Sequence, residues 1–471
     1  MFSPIARLAL ALVPLCGACS IESPTEPSDP VVSAAVTEGA VGDLAVISSS
    51  ASSVTLGWTE VSDGNGAPAF YSVRYAAPPI DWSTAEKGCA PEIAGTTVGS
   101  SITCTVEGLT GDTEYDFQVS SHRSSGGEQR LSNVATARTP IPPPPALPVA
   151  AGIWIGPAEI AQLSTTSEAW TNLLAAADEA CGIVDLSDQA QSTNVCIFAK
   201  ALVFARVGTP TYRDEVVAAI GQIVASGTYV GRALALGHEL GTYVVAADLI
   251  DLRTFDPELD QLFRAKLVEL RTTPTLAPDP PNLIECNERR PNNWGAYCGA
   301  TRAAIAVYLG DTVDLARTAQ VLEGYLGNRA AYAGFVFGGP PDDLTWQCDP
   351  TQPVGINPAG CGDLDGVLPD DQRRAGSLSW PAPRENHVWA ALQGLIAQAV
   401  ILHRAGYSVW DWEDRALLRA MQWLHDVNGY PATGDDTWLA HIINRQYGTS
   451  FPAPLARSPG KNYGFSDWTH G

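Results

Sequence analysis

A proline run at positions 140–145 separates two stretches of the chain that differ in hydrophobic periodicity. Before it, residues 41–140 alternate apolar and polar side chains, as at 54–58, with Gly, Asp and Asn between the runs. Alternation of this kind predicts an all-β immunoglobulin-like sandwich of short strands. The prolines favour an extended backbone, so residues 141–150 are predicted to be a rigid linker.

The second stretch, residues 151–471, has apolar residues at helical spacing. Short connections containing Gly or Pro separate the helices, which predicts successive helical hairpins wrapped around a central cleft, an all-α (α/α) toroid. A long interruption at 334–383, rich in Gly, Pro and Asp, is typical of a functional loop. The predicted helices are 157–174, 196–206, 212–225, 232–250, 257–270, 292–309, 312–326, 385–405 and 411–427.

The first nineteen residues have the pattern of a bacterial export signal. Arg7 precedes a short apolar run at 8–15, and small residues lead to Cys19. Cys19 after Gly-Ala resembles the acylated cysteine of a lipoprotein, although Cys16 stands where that pattern usually has Leu. We therefore expect residues 1–19 to be a signal and 20–40 a flexible tether. An ordinary cleaved signal remains the alternative, so the protein is expected to be lipid-anchored in the periplasm or at the cell surface, or secreted.

The other cysteines support export. Without Cys16 and Cys19, an even number remains, and an even number in an exported chain indicates disulfides. Sequence alone does not fix the connectivity, but pairing between neighbours is the simplest assignment. Among the remaining cysteines no Cys-x-x-Cys spacing occurs, so a cysteine-bound metal is not expected, and nothing in the sequence implies another cofactor. The neighbouring couples are Cys89 and Cys104, Cys181 and Cys196, Cys286 and Cys298, and Cys348 and Cys361.

The net charge of the chain restricts which macromolecules it can bind. The chain has 51 acidic and 28 basic residues and a formal net charge of −23, which argues against a broad basic face for nucleic acid. No segment after the signal is long and apolar enough to span a membrane. We expect a monomer that meets a membrane only through its N-terminal lipid.

Three groups of residues in the helical region carry chemistry. The first, Arg289 to Gly295, places amides at the start of a helix, where free N–H groups bind anions. A plain N-cap followed by a packed Trp294 would also explain it.

The second group runs from Asp365-Gly366 through Arg373-Arg374 to Arg384 and His387, which share a face if helical. A surface salt-bridge cluster is the alternative. In the third, His238 and Tyr243 lie within about one and a half turns of one predicted helix, where a buried histidine is the alternative. It is not a zincin motif, because Thr242 replaces the second His.

The β-region resembles a fibronectin type III domain. The matching residues include Trp58, the alternation at 71–75, Leu109 and Tyr115. In that fold the tyrosine hydroxyl binds the backbone upstream, at a corner between two strands. The resemblance implies a spacer between the anchor and the helical region, with a carbohydrate or adhesion module as the alternative.

The helical region resembles the alginate lyase superfamily of polysaccharide lyases. The matching motifs are Asn292-Asn293-Trp294-Gly295, then Asp365-Gly366, Arg384, His387 and Trp389-Ala390, and finally the segments 444–448 and 460–464. The resemblance implies an (α/α) toroid that cleaves a uronic-acid polysaccharide, of alginate or glucuronan type, by β-elimination. The expected partner is therefore an anionic polysaccharide, whose repulsion by the net charge is offset by arginines near the motifs.

β-Elimination needs groups that neutralise the carboxylate, a base and an acid, and the candidate residues can supply them. Asn293 and Arg384 would neutralise the sugar carboxylate, His387 or His238 would act as base, and Tyr243 as acid. The family often has His in place of Trp294 and Tyr in place of Asn386, so base and acid cannot be transferred directly. The residues expected to bind substrate are Asn292, Trp294, Arg290, Arg445 and Tyr447.

Two other functions fit the same residues. A glycoside hydrolase on a helical toroid would need two carboxylates facing the cleft, and Glu239, Asp365 and Glu385 are available. A surface lipoprotein that binds glycan without cleaving it is the second alternative.

Overall fold

The structure is a computed structural model in which part of the chain can be described residue by residue. The expectations for the signal at 1–19, for lipidation of Cys19, for nearly all of the tether and for the linker lie outside the described residues, as does Lys461 of the last motif. The described residues are 39–50, 52–111, 113–123, 130–140, 152–275, 281–338, 343–455 and 462–471.

The first domain is a two-sheet antiparallel sandwich, as its alternating pattern predicts. One sheet has the order β1-β2-β5, and the other has β4-β3-β6 with β7 and β8 both paired to β6. Side chains on alternate positions, such as Leu56, Tyr71 and Phe117, are fully buried between the sheets. The strands are β1 (Ala45–Ser50), β2 (Ser53–Thr59), β3 (Phe70–Ala76), β4 (Glu86–Ala94), β5 (Ser101–Glu107), β6 (Glu114–His122), β7 (Arg130–Leu131) and β8 (Ala135–Arg138).

Two local contacts hold this sandwich together. The Tyr115 hydroxyl accepts a hydrogen bond from the backbone N–H of Thr110 at 3.0 Å, the corner that the Leu109–Tyr115 spacing predicts. The disulfide between Cys89 in β4 and Cys104 in β5 joins the two sheets.

The second region is helical, and most predicted helices are present with ends that differ by at most three residues. One exception is 157–174, which is two helices, because Ser167 accepts a hydrogen bond from Trp170 N–H and caps a new start. The other is 411–427, whose α-helical part ends at Gln422 and continues as a π-helix, Trp423–Val427. The helices are α1 (Pro157–Ile160), α2 (Glu168–Asp178), α3 (Thr193–Val207), α4 (Pro210–Ala225), α5 (Ala233–Leu249), α6 (Leu252–Phe255), α7 (Pro257–Thr272), α8 (Leu283–Arg289), α9 (Asn293–Leu309), α10 (Thr312–Leu326), α11 (Pro369–Gln372), α12 (Asn386–Arg404), α13 (Trp412–Gln422), α14 (Trp438–Tyr447) and α15 (Ser466–Thr469).

Helices α5, α9 and α12 pack side by side and run in the same direction. Gly237 of α5 faces Cys298 of α9, and Gly241 faces Thr301. Residue numbers therefore increase in the same direction along both helices. Gly394 of α12 likewise faces the backbone at Ala296 and Tyr297, and Gly299 faces Gln398. Glycine permits these close approaches because a Cβ would collide with the neighbouring helix. The N-terminal ends of the three helices therefore lie at the same end of the bundle.

All four disulfides join the neighbouring cysteines that the sequence pairs: 89 with 104, 181 with 196, 286 with 298, and 348 with 361. Disulfides persist in oxidising compartments, so the protein is extracytoplasmic. None of the helices in the described ranges has the length and apolar character needed to cross a bilayer. The described residues also contain no group of three or more His, Cys, Asp or Glu side chains placed to hold a metal ion.

Candidate functional site

The start of α9 is clasped by two consecutive aspartates from α11. Asn292 Nδ2 donates to Asp370 Oδ2 at 2.7 Å, and the backbone N–H of Asn293 donates to Asp371 Oδ1 at 3.3 Å. Asn292 also caps the helix, accepting from Trp294 N–H at 3.1 Å. The paired asparagines are thus held from outside the helix as well as by its own turn.

Two consecutive arginines follow the same aspartates. Arg373 Nε donates to Asp370 Oδ1 at 2.8 Å. Arg374 lies 3.6 Å from Asp371 and donates from Nη2 to Asn293 Oδ1 at 2.9 Å. Since an amide whose oxygen binds a guanidinium presents its NH₂ elsewhere, Asn293 Nδ2 is left as a donor. That Nδ2 has no hydrogen-bond partner among the described residues.

The turn into α9 is fixed covalently and sterically. The disulfide between Cys286 of α8 and Cys298 of α9 encloses it, and both cysteines are fully buried. A Cβ on Gly295 would lie 1.9 Å from the carbonyl oxygen of Arg290, so only glycine fits there. The geometry of the turn therefore requires Gly295 and is stabilised by the Asn292 cap, whereas it places no such demand on the Asn293 side chain.

The start of α12 contributes a histidine held by a carboxylate. Glu385 caps the helix by accepting from His387 N–H at 3.0 Å, and its Oε1 lies 2.5 Å from His387 Nδ1. The side chain of His387 is 47% exposed. A carboxylate only accepts hydrogen bonds, so Nδ1 carries the proton in the neutral ring and Nε2 keeps its lone pair.

Electrostatics connect this dyad to the asparagines. Burial raises the pKa of Asp371 to about 8, Arg374 lowers it, and the charges of Asp370 and Glu385 raise it. Glu385 is therefore close enough to Asp371 for its charge to act there. Asn293, Arg374 and the His387–Glu385 pair thus belong to one region at the N-terminal ends of α9 and α12.

Tyr430 lies in this region, although the sequence gives no signal for it. It is half-buried, and its hydroxyl has no hydrogen-bond partner among the described residues. Burial raises its pKa, the charges of Asp436 and Glu385 raise it further, and Arg384 lowers it. A phenol in this environment stays protonated and can act as an acid.

A buried polar chain runs beneath these groups. The Tyr297 hydroxyl donates to Gln393 Oε1 at 3.0 Å, and Gln393 Nε2 donates to Asp436 Oδ1 at 2.7 Å. The His238 ring packs edge-on against Tyr297, with 4.8 Å between centroids, and its Nδ1 lies 2.9 Å from Glu239. His238 is therefore close to the site but only 6% exposed.

The pKa values of the two buried carboxyl groups near this polar network, Glu239 and Asp436, are raised. Burial raises the pKa of Glu239 to about 9, with Asp188 and Asp185 adding to the effect. Burial also raises the pKa of Asp436 to about 7, against the hydrogen bond from Gln393, which lowers it. Each sits where ionisation is penalised by the loss of water.

Three sequence-predicted residues have other surroundings than expected. Arg384 is exposed, donates to the Gly429 carbonyl at 2.9 Å and lies over the Tyr430 ring, so it does not partner Asn293 as Arg374 does. The Tyr243 side chain is fully buried, which removes it as an acid for a polymer. Trp294 is half-buried against the hydrophobic core instead of forming an open sugar platform.

Arg445 and Tyr447 lie at the other end of the bundle. The Tyr447 hydroxyl donates to the Trp410 carbonyl at 2.7 Å, and Trp410 follows the C-terminal end of α12. A 19-residue helix such as α12 is about 28 Å long. The two residues therefore do not share a groove with His387, because they lie near the C-terminal end of α12 whereas His387 lies at its N-terminal end. Arg290, in contrast, is half-buried in the turn directly before Asn292.

Comparisons with known proteins concern the first domain. Residues 39–138 match the family model "Fibronectin type III domain". Similar solved structures include the chicken CNTN1 FN1-FN3 domains (20% identity, TM-score 0.18) and the A168-A170 domains of titin (22%, 0.17). Each covers 22% of this chain and 32% of the other. The sensor domain of the anti-sigma factor RsgI4 from Pseudobacteroides cellulosolvens has 19% identity and a TM-score of 0.18, covering 23% of this chain and 99% of its own.

No curated protein matches the chain. The helical region has no family assignment, so its likeness to a lyase rests on the motifs alone. The chain carries a fibronectin type III domain at residues 39–138, followed by a large all-helical region.

Proposed function

We propose that the helical region is a polysaccharide lyase that cleaves a uronic-acid-containing polysaccharide, of alginate or glucuronan type, by β-elimination. The observation that carries the proposal is the Asn293–Arg374 pair, an amide and a guanidinium joined at 2.9 Å in the same region, at the N-terminal ends of α9 and α12, as His387. The chain positions these groups from three separate segments, which a purely structural salt bridge would not require.

Neutralisation of the substrate carboxylate is the first task. The proton on the sugar carbon next to a carboxylate is weakly acidic, because its removal adds negative charge to a group already charged. Hydrogen-bond donors prearranged at the carboxylate stabilise that charge. Asn293 Nδ2 and the Arg374 guanidinium supply them, and the helix N-terminus adds partial positive charge.

Proton removal follows. His387 Nε2 takes the proton from the carbon, and Glu385 stabilises the imidazolium that forms. The electron pair forms a carbon–carbon double bond, and the bond from the neighbouring carbon to the glycosidic oxygen breaks. Tyr430 donates its proton to that oxygen, so the products are an unsaturated uronate and a new chain end. The His387 imidazolium then releases its proton to water and the Tyr430 phenolate takes one from water, which restores both groups.

The hydrolase alternative has less support. Glu239 is fully buried, Asp365 is ion-paired with Arg419, and Glu385 is engaged by His387. The three carboxylates named for a hydrolase are thus all engaged or enclosed, whereas that reaction needs a pair facing the sugar. The glycan-binding alternative gives no reason for the Asn293–Arg374 contact, because binding alone does not need a pair prearranged to neutralise developing charge.

Cellular placement is part of the proposal. The disulfides are consistent with export, and we propose that Cys19 carries a lipid that leaves the catalytic region outside the cytoplasm. Detection of a labelled fatty acid on the wild-type protein, and its loss in Cys19→Ser, tests this.

The catalytic test is incubation with alginate, glucuronan, heparinoids, chondroitin and pectate, following the ultraviolet absorbance of the unsaturated uronate. We expect product from at least one polymer, and Asn293→Ala should remove it while the circular dichroism spectrum is kept. New reducing ends without the absorbance would instead establish hydrolysis. An Asn293→Ala variant with wild-type activity would contradict the neutralising role.

A further inference from the structure

Trp380 is exposed, unlike the other tryptophans of this protein. All thirteen tryptophans lie within the described residues, and only Trp380, at 48%, has an exposed side chain. Exposure of a large aromatic ring is unfavourable in water, so a ring kept in this state is a candidate for ligand contact.

The segment 375–383, here the Trp380 loop, begins and ends at the proposed site. It leaves from Arg374 and returns to Arg384, and Gln372 Nε2 donates to the Pro383 carbonyl at 2.7 Å, which closes the loop at its base. Three residues lie between Trp380 and Arg384, so their Cα atoms are at most about 14 Å apart even in a fully extended chain. The Arg384 guanidinium in turn lies over the ring of Tyr430, the proposed acid.

The loop is also fixed at its outer part. Trp346 Nε1 donates to the Gly376 carbonyl at 2.8 Å, and Leu378 N–H donates to Thr345 Oγ1 at 2.8 Å. The buried Trp346 ring packs against Trp380 with 6.3 Å between centroids. Three anchors hold the exposed ring before any ligand arrives, which lowers the entropy lost on binding.

We propose that Trp380 is a stacking platform for a sugar residue of the polysaccharide, outside the position where the chain is cut. The inference rests on the proposed function for the identity of the polymer. One apolar face of a pyranose ring matches a flat indole, and the neighbouring Ser379 adds a hydroxyl group. Leu378 and Trp380 form only a small apolar patch, whereas a protein partner favours a patch of several hundred Å².

The first experiment measures binding without catalysis, by electrophoresis in native gels that contain each of the five polymers. Trp380→Ala should need about tenfold more polymer than the wild type for half-maximal retardation. Phe255→Ala is the matched control, since Phe255 is also an exposed aromatic residue, at 44%. It lies under the Arg213 guanidinium and is distant in sequence from the Trp380 loop. It should behave as wild type. Equal retardation of Trp380→Ala and wild type, or no retardation of the wild type by any polymer, would overturn the platform.

The second experiment compares rates on oligosaccharides of increasing length with rates on the polymer. Trp380→Ala should lose more kcat/KM as the chain lengthens, because only longer chains reach the ring. A loss that is the same at every length would overturn the platform and indicate an effect on the cleavage position. If Trp380→Ala weakens retardation while no polymer yields unsaturated product, the platform stands and the lyase proposal fails. If unsaturated product forms while Trp380→Ala behaves as wild type, the lyase proposal stands and the platform fails.

Discussion

Arg374 Nη2 donates a hydrogen bond to Asn293 Oδ1 at 2.9 Å, although 81 positions separate the two residues in sequence. Asp371 contacts both partners, accepting from Asn293 N–H and lying 3.6 Å from Arg374. Asp371 positions the guanidinium, and the guanidinium fixes which atom of the asparagine amide remains as a donor. This arrangement assigns the neutralising arginine to Arg374 in place of Arg384.

Arg374→Ala is expected to reduce the rate of unsaturated uronate formation by about 10²–10³-fold, the usual effect of losing one donor to developing charge. Arg384→Ala is the matched comparison, and we expect a reduction of only about a few-fold because Arg384 binds the Gly429 carbonyl. Initial rates at saturating polymer measure both. A larger loss in Arg384→Ala than in Arg374→Ala would restore Arg384 to the neutralising role.

His387→Ala is expected to lower kcat by about 10²–10⁴-fold, because it removes the base. Added imidazole should restore part of the rate, since the small molecule can occupy the space of the lost ring. His403→Ala serves as a control, as His403 lies at the opposite end of α12. Absence of rescue together with a small loss of rate would indicate a different base, with His238 the next candidate.

Tyr430→Phe should reduce product formation by about 10²-fold or more, because the phenol supplies the proton for the leaving oxygen. Tyr243→Phe removes a hydroxyl that is buried without a hydrogen-bond partner among the described residues, so activity should be kept and stability should change little. Rates and thermal melting curves of the two variants give the comparison. Loss of activity in Tyr243→Phe alone would reverse the assignment.

Replacing Cys286 and Cys298 together by serine should lower the free energy of unfolding by about 3 kcal/mol, as expected for a loop of this length. Activity should also fall, because the disulfide encloses the turn that carries Asn292 and Asn293. The same double change at Cys89 and Cys104 affects the fibronectin type III domain and should leave the rate of cleavage as it is. Denaturant unfolding and initial rates measure the two pairs side by side.

Asp436→Asn is expected to change how stability depends on pH. The pKa of Asp436 is about 7 in the folded protein, above the ordinary value of 3.8, so the folded state holds a proton that the unfolded state releases. The wild type therefore loses stability as pH rises from about 4 to 7, by up to about 4 kcal/mol from this group. The variant lacks this dependence, so its stability relative to wild type should increase between pH 5 and pH 8. A constant difference between the two proteins in urea unfolding would contradict the assignment.

The amino-acid pattern predicted the order of structures along the chain. Alternation near 54–58 predicted the sandwich, helical spacing predicted most helices, and cysteine spacing predicted the pairs, because all three depend on interactions between near neighbours. The start of α9 at Asn293 was visible for the same reason, since an N-cap is a local signal.

Local structure and the two-part organisation follow from the amino-acid pattern alone. The meeting of Asn293 with Arg374, the place of Tyr430 and the separation of Tyr447 from His387 were decided by tertiary structure. Those relationships depend on the parallel packing of α5, α9 and α12 and on the path of the long loop at 334–383. Neither produces a periodic pattern of apolar residues that sequence analysis could detect. Burial decided the rest, since Tyr243 is enclosed and Trp294 is half-buried by neighbours distant along the chain, although both have suitable chemistry in the sequence.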